Sequence, residues 1–162
     1  MQDAQLIELS GRHFLISKLL DDGLEVAIPV RDRGVDLIAY LDLTKETKQF
    51  VACPIQLKAS QQARFGLQQK YARIANVLMV YVWHLEDEDK TCVYALSYGE
   101  AYELLKKHGH TDGKCWNELG GYAIPNPNEQ WLAELREYEM TAGKWRDKIL
   151  AVGRRVGDSE GT

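Results

Sequence analysis

Seven consecutive residues, Val77-Leu78-Met79-Val80-Tyr81-Val82-Trp83, are apolar at every position. An extended chain with no polar side to turn to water reads as a strand covered on both faces. The fold must therefore bring a layer to each side of a sheet. The run is also far short of the roughly 20 residues that a membrane-spanning helix needs. With 45% hydrophobic residues in a chain of 162, there is enough apolar material for one such layered domain.

The neighbouring segments supply the layers. Ala4 to Leu20 carries Leu6, Ile7, Phe14, Leu15, Leu19 and Leu20 at helical spacing, and Asp21-Asp22-Gly23 closes it. Three strands are expected next. Leu24–Val30 has Val26, Ile28 and Val30 at intervals of two; Val35–Leu43 is rich in apolar residues, with Asp36 near its start; Gln49–Ala59 sets Val51, Cys53, Ile55 and Leu57 on one face. Arg31 to Gly34 and Thr44 to Lys48 are turns between them. Pro54 asks for an edge position or a bulge, since it has no N–H to donate. Ser60–Ala75 reads as a helix from Phe65, Leu67, Tyr71 and Ile74. After the apolar run come an acidic hairpin tip at Glu86–Asp89, a strand over Thr91–Ser97 and a helix over Tyr98–His108. His110–Asn128, with Gly113, Gly120, Gly121, Pro125 and Pro127, reads as loop. Trp131, Leu135, Tyr138, Ala142, Trp145 and Ile149 then recur every three or four residues, predicting one helix over about 129–152. The expected architecture is α/β: a mixed central sheet of about five strands flanked by helices, with a C-terminal helical extension. One domain is expected over residues 1–152 (core 4–97, extension 98–152), with 153–162 expected as a flexible tail.

Composition narrows the function classes. Acids outnumber bases 24 to 20, for a net charge of −4, which excludes a uniformly basic nucleic-acid binder but not a local basic groove. The three cysteines, Cys53, Cys92 and Cys115, suit neither a disulfide framework nor a paired-cysteine zinc site. Met1 to Leu9 contains Asp3 and Glu8 and lacks the basic-then-apolar pattern of a signal peptide. The cytoplasm is the expected compartment.

One constellation carries chemistry. Asp36 is a single acid at the start of an apolar strand, and Gln56 and Lys58 end the next strand on one face, by alternation. If the strands pair as a hairpin, a carboxylate, an amide oxygen and an ammonium converge at one sheet edge. Buried charges of this kind need partners. On spacing alone, a cross-strand ion pair between Asp36 and Lys58 on an exposed face explains the pattern equally well.

At these residues the chain resembles the PD-(D/E)xK nuclease superfamily, in the Gln-x-Lys version found in Mrr-type restriction endonucleases; it is also similar to the archaeal Holliday-junction resolvases. The resemblance implies a restriction-endonuclease-like αβββαβ core and a metal-dependent DNA endonuclease that hydrolyses phosphodiester bonds. It implies Asp36, Gln56 and Lys58 as the catalytic set, with Mg²⁺ or Mn²⁺ held by Asp36, the Leu57 backbone carbonyl and Glu8 of the first helix. Lys58 would orient the attacking water or offset charge on the phosphate. In the superfamily the helix after the motif contacts phosphate, which implies Ser60, Arg64, Gln69, Lys70 and Arg73 as DNA-binding residues. Arg31 and Arg33 at the hairpin turn would extend that surface.

Other readings remain open. Gln56 offers only a neutral oxygen where the family has an acid, so the chain is alternatively an inactive nuclease-fold module that binds a protein or a nucleic acid. The tryptophans allow a third reading, an oligomeric structural protein whose Trp131–Trp145 helix face meets a second copy or another protein. The four histidines show no metal-ligand spacing with the cysteines, and no glycine-rich phosphate loop is present.

Overall fold

The computed structural model describes residues 3–41 and 50–156. The chain opens with helix α1 (Ala4–Asp21), capped by the Asp3 carboxylate, which accepts the Gln5 N–H at 3.0 Å. It ends in a Schellman motif: Leu24 N–H reaches the Leu19 carbonyl and Gly23 N–H the Leu20 carbonyl, both at 3.0 Å. Gly23 sits at φ +79°, the left-handed conformation that glycine adopts without strain.

Strands β1 (Glu25–Ala27), β2 (Leu37–Tyr40) and β3 (Phe50–Ser60) follow, each antiparallel to the last. Leu37 lies opposite Ile55. The first two are shorter than the expected 24–30 and 35–43. Asp42, Leu43, the turn at 44–48 and Gln49 lie outside the described residues. Strand β4 (Arg64–Gln68) comes next, and then β5 (Leu78–Trp83), which runs parallel to β3 with Gln56 beside Met79 and Lys58 beside Tyr81. Strand β6 (Cys92–Ser97) returns antiparallel to β5. The result is the expected mixed sheet, with five strands ordered β1-β2-β3-β5-β6 and a short sixth strand joining β3 off that path.

Helix α2 (Tyr98–Lys107) starts at a capping box, with Glu100 N–H on Ser97 Oγ and Ser97 N–H on the Glu100 carboxylate. Helix α3 (Lys114–Leu119), strand β7 (Gly121–Pro125) and helices α4 (Glu129–Leu135) and α5 (Trp145–Val152) complete the sequence, before strand β8 (Arg154–Val156) pairs antiparallel with the first residues of β3. Pro54 needs neither an edge nor a bulge. β8 pairs with residues 50–52 of β3 and β5 with residues 55–60 on the same flank, and Pro54 falls in the gap, where no partner asks for its N–H.

Several sequence expectations are corrected. Residues 60–75 contain no α-helix: β4 pairs antiparallel with β7 as a separate two-stranded ribbon, and a 3₁₀ turn (Gln69–Arg73) follows. Phe65 and Leu67 are both buried with exposed Arg64 and Gln68 flanking them, a period of two that also fitted a helical count. Residues 110–128 are not loop, since they form α3 and β7. The helix expected over 129–152 is two helices. The first ends at Leu135 and runs into a 3₁₀ turn (Arg136–Tyr138). Glu139 then bridges Tyr94 of β6, with Met140 N–H on the Val93 carbonyl at 2.8 Å. Only after Gly143 (φ +87°) does α5 start, where the Asp22 carboxylate at the end of α1 accepts the N–H groups of Gly143 (2.8 Å) and Trp145 (3.0 Å). Trp131 and Trp145 therefore share no helix face. Both are buried, in two different cores, and neither is available to a partner. Residues 154–156 are strand, not tail, and 157–162 lie outside the described residues.

Those cores lie on opposite faces of the sheet. One is built from Leu15 and Leu19 of α1 and Trp145 and Ile149 of α5, against Leu37, Ile55, Val80 and Val82. The other sets Phe65, Tyr71, Trp116 and Trp131 against Met79, Tyr81 and Trp83. Among the described residues, no helix is long and apolar enough to cross a membrane.

Candidate functional site

Between the start of α1, the ends of β2 and β3, and the β4–β7 ribbon lies a cleft of about 670 Å³. Asp36, Gln56, Leu57 and Lys58 line it, together with Glu8, Ser60, Arg64 and Lys70. The strand register explains the convergence. Asp36 N–H donates to the Ile55 carbonyl at 2.8 Å, which sets Asp36 level with Gln56, just before Leu37, the first paired residue of β2. There β3 outruns its neighbour, and side chains take over the backbone groups of Leu57: the Asp36 Oδ2 accepts the Leu57 N–H at 2.7 Å, and Gln56 Nε2 donates to the Leu57 carbonyl at 3.2 Å.

Asp36 and Gln56 are only 8% and 6% exposed. Burial pushes the Asp36 carboxyl above its ordinary range; the Leu57 N–H pulls it back, Asp32 and Glu8 push it further up, and Arg12 pulls it down. Gln56 Oε1 is buried with no hydrogen-bond partner. Lys58 is tethered: its ammonium donates to Tyr71 Oη at 3.0 Å and lies 4.9 Å from the centre of that ring. The Tyr71 ring in turn packs where a side chain on Gly34 would be, with a Cβ there only 3.3 Å from the ring. Gly34 holds φ +92°, so one aromatic residue braces both Lys58 and the turn that delivers Asp36.

Glu8 reaches the cleft from α1 while paired with Arg12 at 3.3 Å. Among the expected DNA-contacting residues, Ser60, Arg64 and Lys70 line the cleft. Arg31, Arg33 and Arg73 are exposed but do not line it. Gln69 is committed elsewhere, donating to the Trp116 carbonyl at 2.8 Å. The sequence reading missed Tyr71, Arg12 and the Gly121-Tyr122-Ala123 wall. The Glu8–Arg12 spacing of four was legible as a helix pair; Tyr71 and the wall depended on recognising β4 and β7 as strands.

Among the described residues no group of three His, Cys, Asp or Glu side chains comes together to hold a metal. A metal here would rest on Asp36 with the neutral oxygens of Gln56 and Leu57. That all-oxygen donor set suits a hard cation such as Mg²⁺ or Mn²⁺, and the unpartnered Gln56 Oε1 is an acceptor for it. No known family, curated protein or solved structure matches the chain.

Proposed function

We propose that the chain is a Mg²⁺- or Mn²⁺-dependent DNA endonuclease, acting in the cytoplasm, of the PD-(D/E)xK type that its Asp36 and Gln56-x-Lys58 resemble. The observation that carries this reading is the meeting of Asp36, Gln56 Oε1, the Leu57 carbonyl and Lys58 at the ends of two paired strands, in a cleft that Arg64 and Lys70 also line.

Asp36, Gln56 Oε1 and the Leu57 carbonyl would hold the cation, with Glu8 of α1 lining the same cleft. When bound, the cation polarises the scissile phosphate and acidifies a bound water. Lys58, fixed by Tyr71, donates to a non-bridging phosphate oxygen and offsets the negative charge that builds as water adds to phosphorus and the ester oxygen leaves. Arg64, Lys70 and the Ser60 hydroxyl contact flanking phosphates, and Arg31, Arg33 and Arg73 meet the strand where it leaves the cleft.

Incubation with plasmid, branched and single-stranded DNA in Mg²⁺ or Mn²⁺ tests this. Asp36→Ala abolishes cleavage, and Lys58→Ala lowers it by about 10²–10³-fold, the usual cost of one transition-state donor. Cleavage that survives in both variants overturns the assignment. DNA binding without cleavage places the chain with the inactive nuclease-fold modules.

A further inference from the structure

The floor of the cleft offers more oxygen than charge. Its lining contains three acids, Glu8, Asp32 and Asp36, against three bases, Lys58, Arg64 and Lys70. Two of the acids are engaged at the rim: Glu8 pairs with Arg12 at 3.3 Å, and the exposed Asp32 accepts the Gly34 N–H at 3.0 Å. Asp36 is the one carboxylate at depth. Beside it, Gln56 Oε1 is buried and unpartnered, which calls for a donor or a cation against it. A Glu at this position would add a second negative charge and draw a bare divalent cation. Gln56 supplies the oxygen without the charge.

Lys58 lies two positions along the same face of β3, held in place by Tyr71. Its fixed positive charge opposes a bare cation and attracts a phosphate. A divalent cation beside Asp36 and Lys58 leaves positive charge uncompensated in a poorly hydrated site. A phosphate alone meets the Asp36 carboxylate. Together, each supplies the charge that the other lacks.

Building on the nuclease reading above, we infer that the divalent cation and the substrate phosphate occupy this cleft only together, and that Gln56 is the residue that makes cation binding conditional on the phosphate. Linkage then requires the effect to be reciprocal: the phosphate tightens the cation by the same factor as the cation tightens the phosphate.

The test is a titration of Mn²⁺, followed by its electron paramagnetic resonance signal, into the whole chain with and without thymidine 5′-monophosphate. That nucleotide has a phosphate but no phosphodiester bond to cut, so the readout is independent of activity. The nucleotide is expected to tighten Mn²⁺ binding at least about tenfold, within the usual range of such couplings. Gln56→Glu is expected to bind Mn²⁺ without nucleotide, with the coupling reduced. Asp36→Asn loses the coupling, which separates it from Mn²⁺–nucleotide association in free solution. Equal Mn²⁺ affinity with and without nucleotide in the unsubstituted chain overturns the inference and leaves the nuclease reading standing. No Mn²⁺ binding in either condition overturns both. The coupling in the unsubstituted chain tests the joint occupancy even where Gln56→Glu fails to fold, and a folded Gln56→Glu chain with the coupling of the unsubstituted one overturns the role given to Gln56.

Discussion

The two faces of the central sheet are packed with different chemistry. On the α1–α5 face the buried side chains are mostly aliphatic, Leu15, Leu19, Leu37, Ile55, Val80, Val82 and Ile149, with Trp145 among them. On the ribbon face aromatic rings make up about half of them, and several carry a polar tip. Tyr81 Oη donates to the Gly66 carbonyl at 2.8 Å, and Trp83 Nε1 donates to the Arg64 carbonyl at 2.9 Å. Hydrocarbon burial is strong and non-directional, whereas a buried hydroxyl or indole N–H has one geometry that satisfies it. The first face supplies stability. The second fixes where the β4–β7 ribbon, a wall of the cleft, stands relative to β3 and β5.

The largest expected effect sharpens that contrast. Leu19 is fully buried under α1, and Leu19→Ala should cost about 2–5 kcal/mol of folding stability in a denaturant titration, the range for a large-to-small core substitution. Cleavage under conditions where the variant stays folded should be close to that of the unsubstituted chain. A stable Leu19→Ala chain with a lost activity would reverse the roles assigned to the two faces.

Next in size is Gly11, where α1 approaches the sheet so closely that a Cβ would collide with the Ala59 Cβ. Alanine favours a helix by about 1 kcal/mol over glycine, but overpacking a filled core costs about 1–3 kcal/mol. Gly11→Ala should therefore be net destabilising or neutral at best, and Ala59→Gly in the same chain should recover the loss. A simple gain in stability from Gly11→Ala alone would show that α1 has room to move off β3.

The same contrast sets what was legible in the sequence. The aliphatic face was: α1, β3 and β5 follow directly from apolar spacing, because non-directional burial leaves its period in the residue pattern. So was the placement of Asp36 beside Gln56 and Lys58, which needs only the alternation of a strand and one hairpin register. The ribbon face was not. Arg64 to Gln68 and Tyr71 satisfy a helical and an extended period at once, and what decides between them is the pairing with Gly121–Pro125, more than fifty residues further along. The single helix expected over 129–152 failed for a similar reason. Its apolar period continues through Ala142, but β6, distant in sequence, draws Glu139 and Met140 out of the helix, and the Asp22 carboxylate, more distant still, holds Gly143 and Trp145 where α5 begins.

Removing one polar tip from the aromatic face is a smaller test of the comparison. Tyr81→Phe keeps the ring, which stacks on Phe65 at 4.6 Å, and deletes only the bond to Gly66. Stability should fall by about 0.5–1.5 kcal/mol, the net worth of one hydrogen bond. Cleavage should fall by more than that loss accounts for, because Gly66 lines the cleft. Equal losses in stability and cleavage would mean that the hydroxyl only adds cohesion.

The smallest effect is a pH dependence at the far end of the ribbon. The His110 ring stacks on Tyr122 of β7 at 4.3 Å, with Trp131 at 6.0 Å and the His108 ring at 6.4 Å; His108 itself faces the Glu134 carboxylate, which Lys107 also approaches. Burial pushes His110 below its ordinary 6.5, and the neighbouring His108 adds to the shift. The folded chain thus takes up this proton less readily than the unfolded one. Its contribution is flat above about pH 6.5 and turns against the fold as pH falls from there through the depressed value. Between about pH 7.5 and about pH 5.5, the range over which a histidine charges, the unfolding midpoint should drop, and it should drop less in His110→Phe, which can stack on Tyr122 but carries no proton. Amide exchange should register the loosening in β7 and its partner β4 before it registers in β3 or β5. The same pH dependence in both chains, or exchange that rises first on the α1–α5 face, would break the distinction between a face that holds and a face that positions.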